Sequence, residues 1–273
     1  MKKEWTGERL ETFIYTRDAI EHLHRYSLST KYVSNKVVLD IASGEGYGSN
    51  ILSKYASTVY GVDIDNEVIE KAKIKYKKEN LSFKTGSTDA IPLDDNTIDV
   101  VISFETLEHH DKHDEMLSEI KRVLKPDGMI IISTPDKKYY SDLRKFKNKF
   151  HVKELYKKEF IDLINLNFKN SQVLIQNYIN GNSLIQNDIN INDIEIHSGN
   201  YSDIHIQNLE PLFLIIIASD SDFNPQKTTL FNGAEIVKTE IDNQLNEIFT
   251  STTYKTGKLI LKPFQFLKRM IKQ

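Results

Sequence analysis

A glycine-rich turn between two apolar segments constrains the fold of this chain more than any other feature. The apolar run at 37–39 ends in Asp40, and glycines follow at every second position, namely Gly44, Gly46 and Gly48. A helical pattern comes next, and a second apolar run, 58–62, ends in Asp63. This order of strand, glycine loop, helix, strand and acid is typical of the opening of a nucleotide-binding α/β domain.

The same turn indicates the chemistry of the ligand. Glycines let the backbone approach a ligand closely, and the free N–H groups at the next helix start favour an anionic group. Asp63 can accept hydrogen bonds from both hydroxyls of a ribose. The spacing differs from the G-x-G-x-x-G of dinucleotide sites, and Asp40, four residues before Gly44, would repel a pyrophosphate. An acid there suits a ligand with a cationic amine, which disfavours a nicotinamide oxidoreductase.

Residues 40–48 (DIASGEGYG) with 61–65 (GVDID) resemble the S-adenosylmethionine (SAM) site of class I methyltransferases. The resemblance implies SAM as cofactor. It departs from the family pattern at Ser87, because many members have an Asp after the glycine of that strand end; Thr88 and Asp89 are the nearest substitutes for the adenine contact. The implied cofactor-binding residues are Asp40, Ala42, Gly44, Glu45, Gly46, Gly48, Asp63, Ile64, Ser87, Thr88 and Phe104.

A further cofactor residue is expected on an N-terminal helix at about 16–26, which contains the segment EHLHRY. Spacing alone favours a solvated face of a covering helix. In related methyltransferases such a helix closes over the SAM pocket, and an arginine on it can meet the methionine carboxylate. Arg25 is the candidate.

Two histidines are candidates for catalysis. The buried-strand run 98–104 leads into ETLEHHD, at the crevice where open α/β sheets bind ligands. His109 lies there and can take a proton from an acceptor hydroxyl near neutral pH. His151, in the block FHVKEL that the family shares, is the second candidate. Adjacent loop residues rarely aim at one centre, so no metal site is expected in the 109–114 cluster.

Composition limits the partners. The 36 basic and 39 acidic residues give a net charge of −3, so nothing favours nucleic acid. The chain has no cysteine, hence no disulfide and no thiolate site. Neither a signal peptide nor a membrane span is predicted, because the longest apolar run is 212–218. We expect a cytoplasmic protein.

The predicted fold is α/β: a Rossmann-like, seven-stranded, mostly parallel sheet. The resemblance implies the strand order 3-2-1-4-5-7-6, with the N-terminal helix as a cover. Residues 173–178 and 212–218 are the expected last two strands. Between them, 181–207 is a lid over the acceptor or a variable insertion. We expect a methyltransferase domain at 1–220 and a helical extension at 221–273.

The end of the chain suggests a contact with a surface. Residues 254–273 carry six basic residues and no acid, interleaved with apolar side chains. This pattern suits a segment lying on the inner face of an anionic membrane, or a helix docked on the domain or a partner. Such tails resemble those of enzymes of surface-polysaccharide assembly, so a glycosyltransferase-pathway partner is also expected.

The combined resemblance, over about 8–220, is closest to methyltransferases near O-antigen biosynthesis. It implies transfer of a methyl group to a small-molecule or glycan acceptor, at a sugar hydroxyl or glycan phosphate, with His109 or His151 assisting. A methyltransferase acting on a lipid, quinone or other metabolite remains an alternative. A non-catalytic SAM-binding scaffold is another.

Overall fold

The computed structural model describes residues 9–189 and 194–270, with side chains up to residue 261. Its centre is a mixed sheet of nine strands in the order β11-β7-β6-β10-β5-β4-β1-β2-β3. A separate hairpin, β8–β9, lies outside this sheet. The strands are β1 (Val37–Ile41), β2 (Thr58–Asp63), β3 (Leu81–Thr85), β4 (Ile98–Phe104), β5 (Leu124–Pro135), β6 (Asn170–Ile179), β7 (Asn182–Asn187), β8 (His197–Asn200), β9 (Asp203–Ile206), β10 (Phe213–Ser219) and β11 (Thr229–Asn232).

Pairing divides the sheet into two halves. Strands β1 to β5 pair in parallel, whereas β10, β6, β7 and β11 continue the sheet in antiparallel pairs. The carboxyl ends of β1, β2 and β4 therefore meet at one edge, which is where open α/β sheets bind ligands. The helices are α1 (Arg17–Ser29), α2 (Tyr47–Leu52), α3 (Asn66–Lys75), α4 (His113–Val123), α5 (Lys157–Asn167), α6 (Ala234–Thr250) and α7 (Thr252–Met270).

The sheet is buried on both faces. One apolar cluster joins it to α4 and α5, through residues such as Leu117 and Phe160. The other joins it to α1, α2 and α3, through residues such as Leu52 and Ile69. Strand β4 is buried along nearly its whole length, as its continuous apolar run predicts.

The prediction of seven strands is wrong. Two further strands extend the edge beyond β6: the chain turns at Asn180 and Gly181, both at positive φ, and returns as β7, and β11 pairs with β7. The sequence of β7, NSLIQN, lacks the apolar alternation of a strand. It is a strand because Ser183 and Gln186 are buried, and Ser183 has partners in α1 and β6.

The segment 221–273 is also not wholly helical, because β11 belongs to the sheet. Helix α6 contains no buried residue, so it covers none of the core. Within the described residues, no helix has the length and apolarity needed to cross a bilayer. Of the predicted surface segment 254–273, residues 271–273 lie outside the described part, as do the side chains from 262 onwards.

Candidate functional site

The glycine loop forms a tight turn between β1 and α2. Gly44 and Gly46 have φ of +54° and +87°, a region that L side chains rarely adopt. The Gly44 N–H donates to Asp63 Oδ2 at 2.9 Å, which ties the loop to the end of β2. A Cβ at Gly48 would lie 1.9 Å from Tyr26 Cζ, so only glycine lets α1 pack there.

Asp40 stabilises the loop through buried hydrogen bonds. Its carboxylate is buried and accepts hydrogen bonds from Ser49 Oγ at 2.6 Å and from Tyr26 OH at 3.2 Å. Burial raises the pKa of Asp40 to about 7. It binds the start of α2 and the end of α1 together, and it does not line the cavity described next.

A cavity of about 440 Å³ opens at the carboxyl ends of β1, β2 and β4. It brings together many of the residues that the sequence predicts for cofactor binding. Ile64 lies on its wall with 71% of its surface exposed, so its side chain is available to pack against a flat ring. The predicted residues in its wall are Ala42, Gly44, Asp63, Ile64, Ser87, Thr88 and His109.

Other predicted cofactor residues lie away from this wall. Gly46 and Gly48 shape the turn, and Phe104 is buried with its ring edge-on to Tyr26 at 5.1 Å between centroids. Glu45 accepts from Thr12 Oγ1 at 2.9 Å and pairs with Lys75 at 2.5 Å. These residues do not line the cavity; they support the backbone and the packing around it.

Sequence reasoning missed the arginine at the cavity mouth. Arg9 pairs with Asp65 at 2.9 Å and with Asp63 at 3.5 Å. Together with the contact between Thr12 and Glu45, this holds the segment before α1 across the glycine loop. Nothing in the local sequence marks Arg9, since its partners lie more than fifty residues away.

At the departure from the family pattern, Ser87 and Asp89 form a joined pair. Ser87 Oγ donates to Asp89 Oδ1 at 2.5 Å, and Lys112 Nζ donates to Asp89 Oδ2 at 2.5 Å. These two hydrogen bonds, the one from Lys112 first, lower the pKa of Asp89 to about 2. All three residues line the cavity, so Asp89 offers a carboxylate two positions after the usual one.

A second, smaller cavity of about 130 Å³ adjoins the first and shares Glu105, His109 and Phe150 with it. Its wall is mostly polar and comes from α1, the segment after β4 and the loop before α5. The lining residues are Leu10, Asp18, Glu21, His22, Arg25, Glu105, Glu108, His109, Tyr140, Asn148, Phe150, His151 and Phe213.

Arg25 belongs to this second cavity, and the structure does not place it with the cofactor residues of the first. It is 1% exposed. Its Nη1 lies 2.9 Å from Glu105 Oε1, and its Nε donates to Gln176 Oε1 at 2.7 Å. Its Nη2 is buried and makes no hydrogen bond within the described part of the chain. The contact of Arg25 with the methionine carboxylate therefore remains a prediction that this arrangement does not support.

Glu105 is one of the three residues that line both cavities. It follows β4 at a φ of +51°, a strained conformation for a glutamate, and it accepts from Ser133 Oγ at 2.7 Å. Its position within ETLEHH was visible in the sequence, but its partners Arg25 and Ser133 were not.

The two candidate catalytic histidines lie together, although 42 positions separate them in the sequence. Their ring centroids are 5.3 Å apart, at the second cavity. His109 Nδ1 lies 3.1 Å from the Phe150 carbonyl oxygen, and His151 Nδ1 lies 2.6 Å from Glu154 Oε1. Glu108 lies beside them. Its pKa is raised well above the ordinary value, mainly by burial and secondly by the negative charge of the neighbouring Glu105.

Comparison with known proteins agrees with this geometry. Residues 39–132 match the family described as "Methyltransferase domain". A probable SAM-dependent methyltransferase of Mycolicibacterium smegmatis is 33% identical over 128 residues, covering 46% of this chain and 49% of that protein. A second one, of Mycobacterium tuberculosis, is 30% identical over 166 residues, 58% of each chain. The chain thus spans about half the length of the curated relatives it matches.

Solved structures share the fold. The YcgJ protein of Bacillus subtilis matches with a TM-score of 0.55 and 21% identity, over 74% of this chain and 100% of that one. A SAM-dependent methyltransferase of Thermotoga maritima matches with a TM-score of 0.53 and 18% identity, over 74% and 90%. The chain therefore has the Rossmann-like methyltransferase fold. The comparisons indicate SAM-dependent methyltransferase chemistry, with SAM as cofactor, for the segment that carries the larger cavity.

Proposed function

We propose that this protein is a SAM-dependent methyltransferase that methylates a hydroxyl of a sugar or a phosphate of a glycan. One observation carries the proposal: the cofactor-type cavity shares Glu105, His109 and Phe150 with a small polar cavity beside it. SAM in the first cavity would present its methyl group towards the second. The acceptor would then bind where carboxylates and imidazoles line the wall.

The reaction requires little beyond placement. An acceptor oxygen attacks the methyl carbon in line with the sulfur, so an O–C bond forms and the S–C bond breaks. The electron pair of that bond stays on sulfur, which leaves S-adenosylhomocysteine. The proton of an attacking hydroxyl passes to the imidazole of His109 or His151. Exclusion of water and alignment of the two reactants contribute most of the rate.

The polar lining favours a hydroxylated acceptor over a hydrocarbon. Asp18, Glu21 and Glu105 offer carboxylate oxygens that can accept from sugar hydroxyls. Arg25 Nη2 is a buried donor that an acceptor oxygen, or a phosphate, would satisfy. A buried apolar acceptor group would leave Arg25 Nη2 without a hydrogen-bond partner, which is costly.

The test is an acceptor screen that measures S-adenosylhomocysteine formed from SAM with sugar, glycan-phosphate and lipid acceptors. With the true acceptor, His109→Ala and His151→Ala should each lower kcat by about 10–100-fold. SAM affinity should stay unchanged in His151→Ala, because His151 does not line the cofactor-type cavity. His197→Ala, at an exposed imidazole beside Glu195, is the matched control and should keep the full rate. Full activity in both cavity variants would disprove the base assignment, and a chain that binds SAM but methylates nothing would be a scaffold.

A lipid acceptor is the second candidate. Relatives include a fatty-acid O-methyltransferase of Mycolicibacterium smegmatis, 26% identical over 128 residues. A separate cavity of about 930 Å³ lies between α5, β6 and the segment 194–211. Five isoleucines and three lysines are among its lining residues, which suits an amphiphile. Turnover of lipids but not of sugars in the screen would favour this candidate.

We further propose that the protein acts in the cytoplasm, at the inner face of a membrane, with its last helix on the surface. Leu259, Ile260 and Leu261 are exposed on α7, beside the lysines of the same helix. Association of a glycosyltransferase-pathway partner with this helix is the alternative. Sedimentation with anionic vesicles, and its loss after removal of residues 252–273, tests the membrane contact; equal sedimentation of both chains would refute it.

A further inference from the structure

Three side chains at the boundary between the two cavities have the composition of a metal site. Glu108, His109 and His151 each offer one ligand atom, and these atoms all lie within 4.8 Å of one another. Only His109 comes from the histidine-rich cluster 109–114. The others are its buried neighbour Glu108 and a residue from the loop before α5, which the fold brings to the same point.

The backbone holds the two ligand-bearing segments together. The N–H groups of Val152 and Lys153 both donate to the carbonyl oxygen of Glu108, at 2.8 and 3.1 Å. These bonds fix the loop that carries His151 against the short helical turn that carries the other two residues. A preformed arrangement of this kind lowers the entropy cost of gathering ligands around an ion.

Outer partners orient both imidazoles. The Nδ1 atom of His109 faces the Phe150 carbonyl oxygen, and that of His151 faces the Glu154 carboxylate. A carbonyl or carboxylate at one ring nitrogen is the usual partner of a metal-bound histidine, because it leaves the other nitrogen unprotonated. In this structure Asn148 Nδ2 lies 3.0 Å from His151 Nε2, so ion binding there would replace one hydrogen bond.

The charge of the surroundings favours a cation. Glu108 is 1% exposed, and its neutral neighbour Thr134 donates to Oε2 at 3.1 Å. Asp18, Glu21 and Glu105 also line this cavity, whereas Arg25 is the one permanently charged cation among its lining residues. A divalent ion would compensate a carboxylate that is otherwise expensive to bury.

We infer that Glu108, His109 and His151 bind one divalent transition-metal ion at the wall of the acceptor cavity. Two imidazoles and one carboxylate suit Mn²⁺, Fe²⁺, Co²⁺ or Zn²⁺ better than Mg²⁺, which prefers oxygen ligands alone. Three protein ligands leave positions open for an acceptor oxygen, or for two neighbouring hydroxyls of one sugar. The role of the ion in catalysis rests on the proposed function; the site itself does not.

Ion binding would change how the acceptor is activated. An ion held by these three side chains would lower the pKa of an acceptor oxygen bound to it, so that the hydroxyl proton could pass to water. The imidazoles are then ligands, so the same ring nitrogens cannot also be the proton acceptors. Metal dependence of the reaction would thus replace the base assignment for His109 and His151.

The test is a titration of the full chain with Mn²⁺. Binding is measured as the loss of the electron paramagnetic resonance signal of the free ion. Wild type should bind one ion per chain, and Zn²⁺ should displace it while Mg²⁺ at the same concentration should not. His109→Ala, His151→Ala and Glu108→Gln should weaken binding by roughly 100-fold or more. Glu154→Gln, which alters only an outer partner, should weaken it by about 10–100-fold.

The controls separate this inference from other failures. His205→Ala, at an exposed imidazole beside Asp203, should bind Mn²⁺ as wild type does. Every variant is first checked for unchanged SAM binding by calorimetry, and Gln replaces Ala where a histidine variant fails this check. No binding by wild type, or equal binding by the Glu108 and Glu154 variants, would overturn the site. Because no acceptor is present, that result would leave the proposed methyl transfer standing.

Discussion

The two halves of the sheet differ in how the sequence builds a binding site. In the parallel half, strands β1 to β4, the site depends on one continuous segment: the glycine loop, Asp40 and Asp63 lie within 24 residues. In the antiparallel half, strands β6, β7, β10 and β11, buried polar side chains meet partners from distant segments. His24 lies between Ser183 and Thr229, and Arg25 contacts Gln176. The glycine loop and its two acids are thus locally encoded, whereas the polar contacts of the antiparallel half depend on long-range packing.

The largest effect is expected from the buried carboxylate under the glycine loop. The pKa of Asp40 is about 7 in the folded chain against an ordinary value of 3.8. The folded state therefore holds this proton more tightly, and the associated stability, complete below about pH 4, is lost as the pH rises to about 7. In Asp40→Asn this loss disappears, so the decrease in unfolding free energy from pH 4 to 7 should be smaller by on the order of 4 kcal/mol.

Urea unfolding of the SAM-free chain at several pH values measures that slope. Asp89→Asn is the control, because the pKa of Asp89 is lowered to about 2 and its titration lies below this window. Parallel slopes for wild type and Asp40→Asn would show that Asp40 is ionised in the folded chain at pH 4. The ionised Asp40 carboxylate would then be stable in its buried position without protonation.

A methyl group at Gly48 should be next in size. The added Cβ would lie 1.9 Å from Tyr26 Cζ, so α1 or α2 must shift and the hydrogen bond from Tyr26 to Asp40 is strained. Gly48→Ala should lower the unfolding free energy by about 2–3 kcal/mol. Gly44→Ala, with no atom within 4 Å of the new Cβ, should cost about 1 kcal/mol from its positive φ. Equal losses, measured by thermal unfolding, would mean that space at Gly48 is not limiting.

Removal of the carboxylate at the end of β2 should affect the cofactor and little else. Asp63 binds the Gly44 N–H and lies in the cavity wall, where it can accept from a ribose. Asp63→Ala should weaken SAM binding by about 30-fold in calorimetry, as loss of hydrogen bonds to a charged group predicts. Asp65→Ala, which removes the other Arg9 partner and the N-cap of α3, is the matched control and should bind nearly as wild type. Undiminished affinity in Asp63→Ala would place the ribose elsewhere.

The smallest effect is expected in the antiparallel half. Ser183 Oγ lies 2.9 Å from His24 Nδ1 and 2.8 Å from Gln176 Nε2. Ser183→Ala leaves both partners buried, so it should cost about 1–2 kcal/mol of unfolding free energy. SAM affinity should not change, since none of these residues lines the cofactor cavity. A loss of SAM affinity would show that the two halves are coupled more tightly than the comparison suggests.

The parallel strands and the cofactor loop could be predicted because their signals are local. Apolar runs end in Asp40 and Asp63, and glycines stand where the backbone needs positive φ. These signals require no partner from elsewhere in the chain. Glu45 is an exception within the loop. Its place in the motif predicts cofactor binding, but its side chain contacts Thr12 and Lys75 at the surface.

The outer strands and the place of Arg25 could not be predicted in the same way. β7 has no apolar alternation, and its buried Ser183 has its hydrogen-bond partners in α1 and β6. The cofactor role of Arg25 is implied only by the resemblance to methyltransferases whose N-terminal helix covers the SAM pocket. Its actual surroundings depend on Glu105 and Gln176, which no spacing near residue 25 reveals.

The sequence by itself determined the order of strand, glycine loop and acid, and with it the chemistry of the cofactor cavity. Only the tertiary structure decided that Glu108, His109 and His151 meet, and that Arg25 lies at the second cavity. The physical reason is the range of the interactions involved. Backbone conformation and apolar periodicity depend on neighbours in the chain, whereas a buried polar group is placed by whichever distant partner satisfies it.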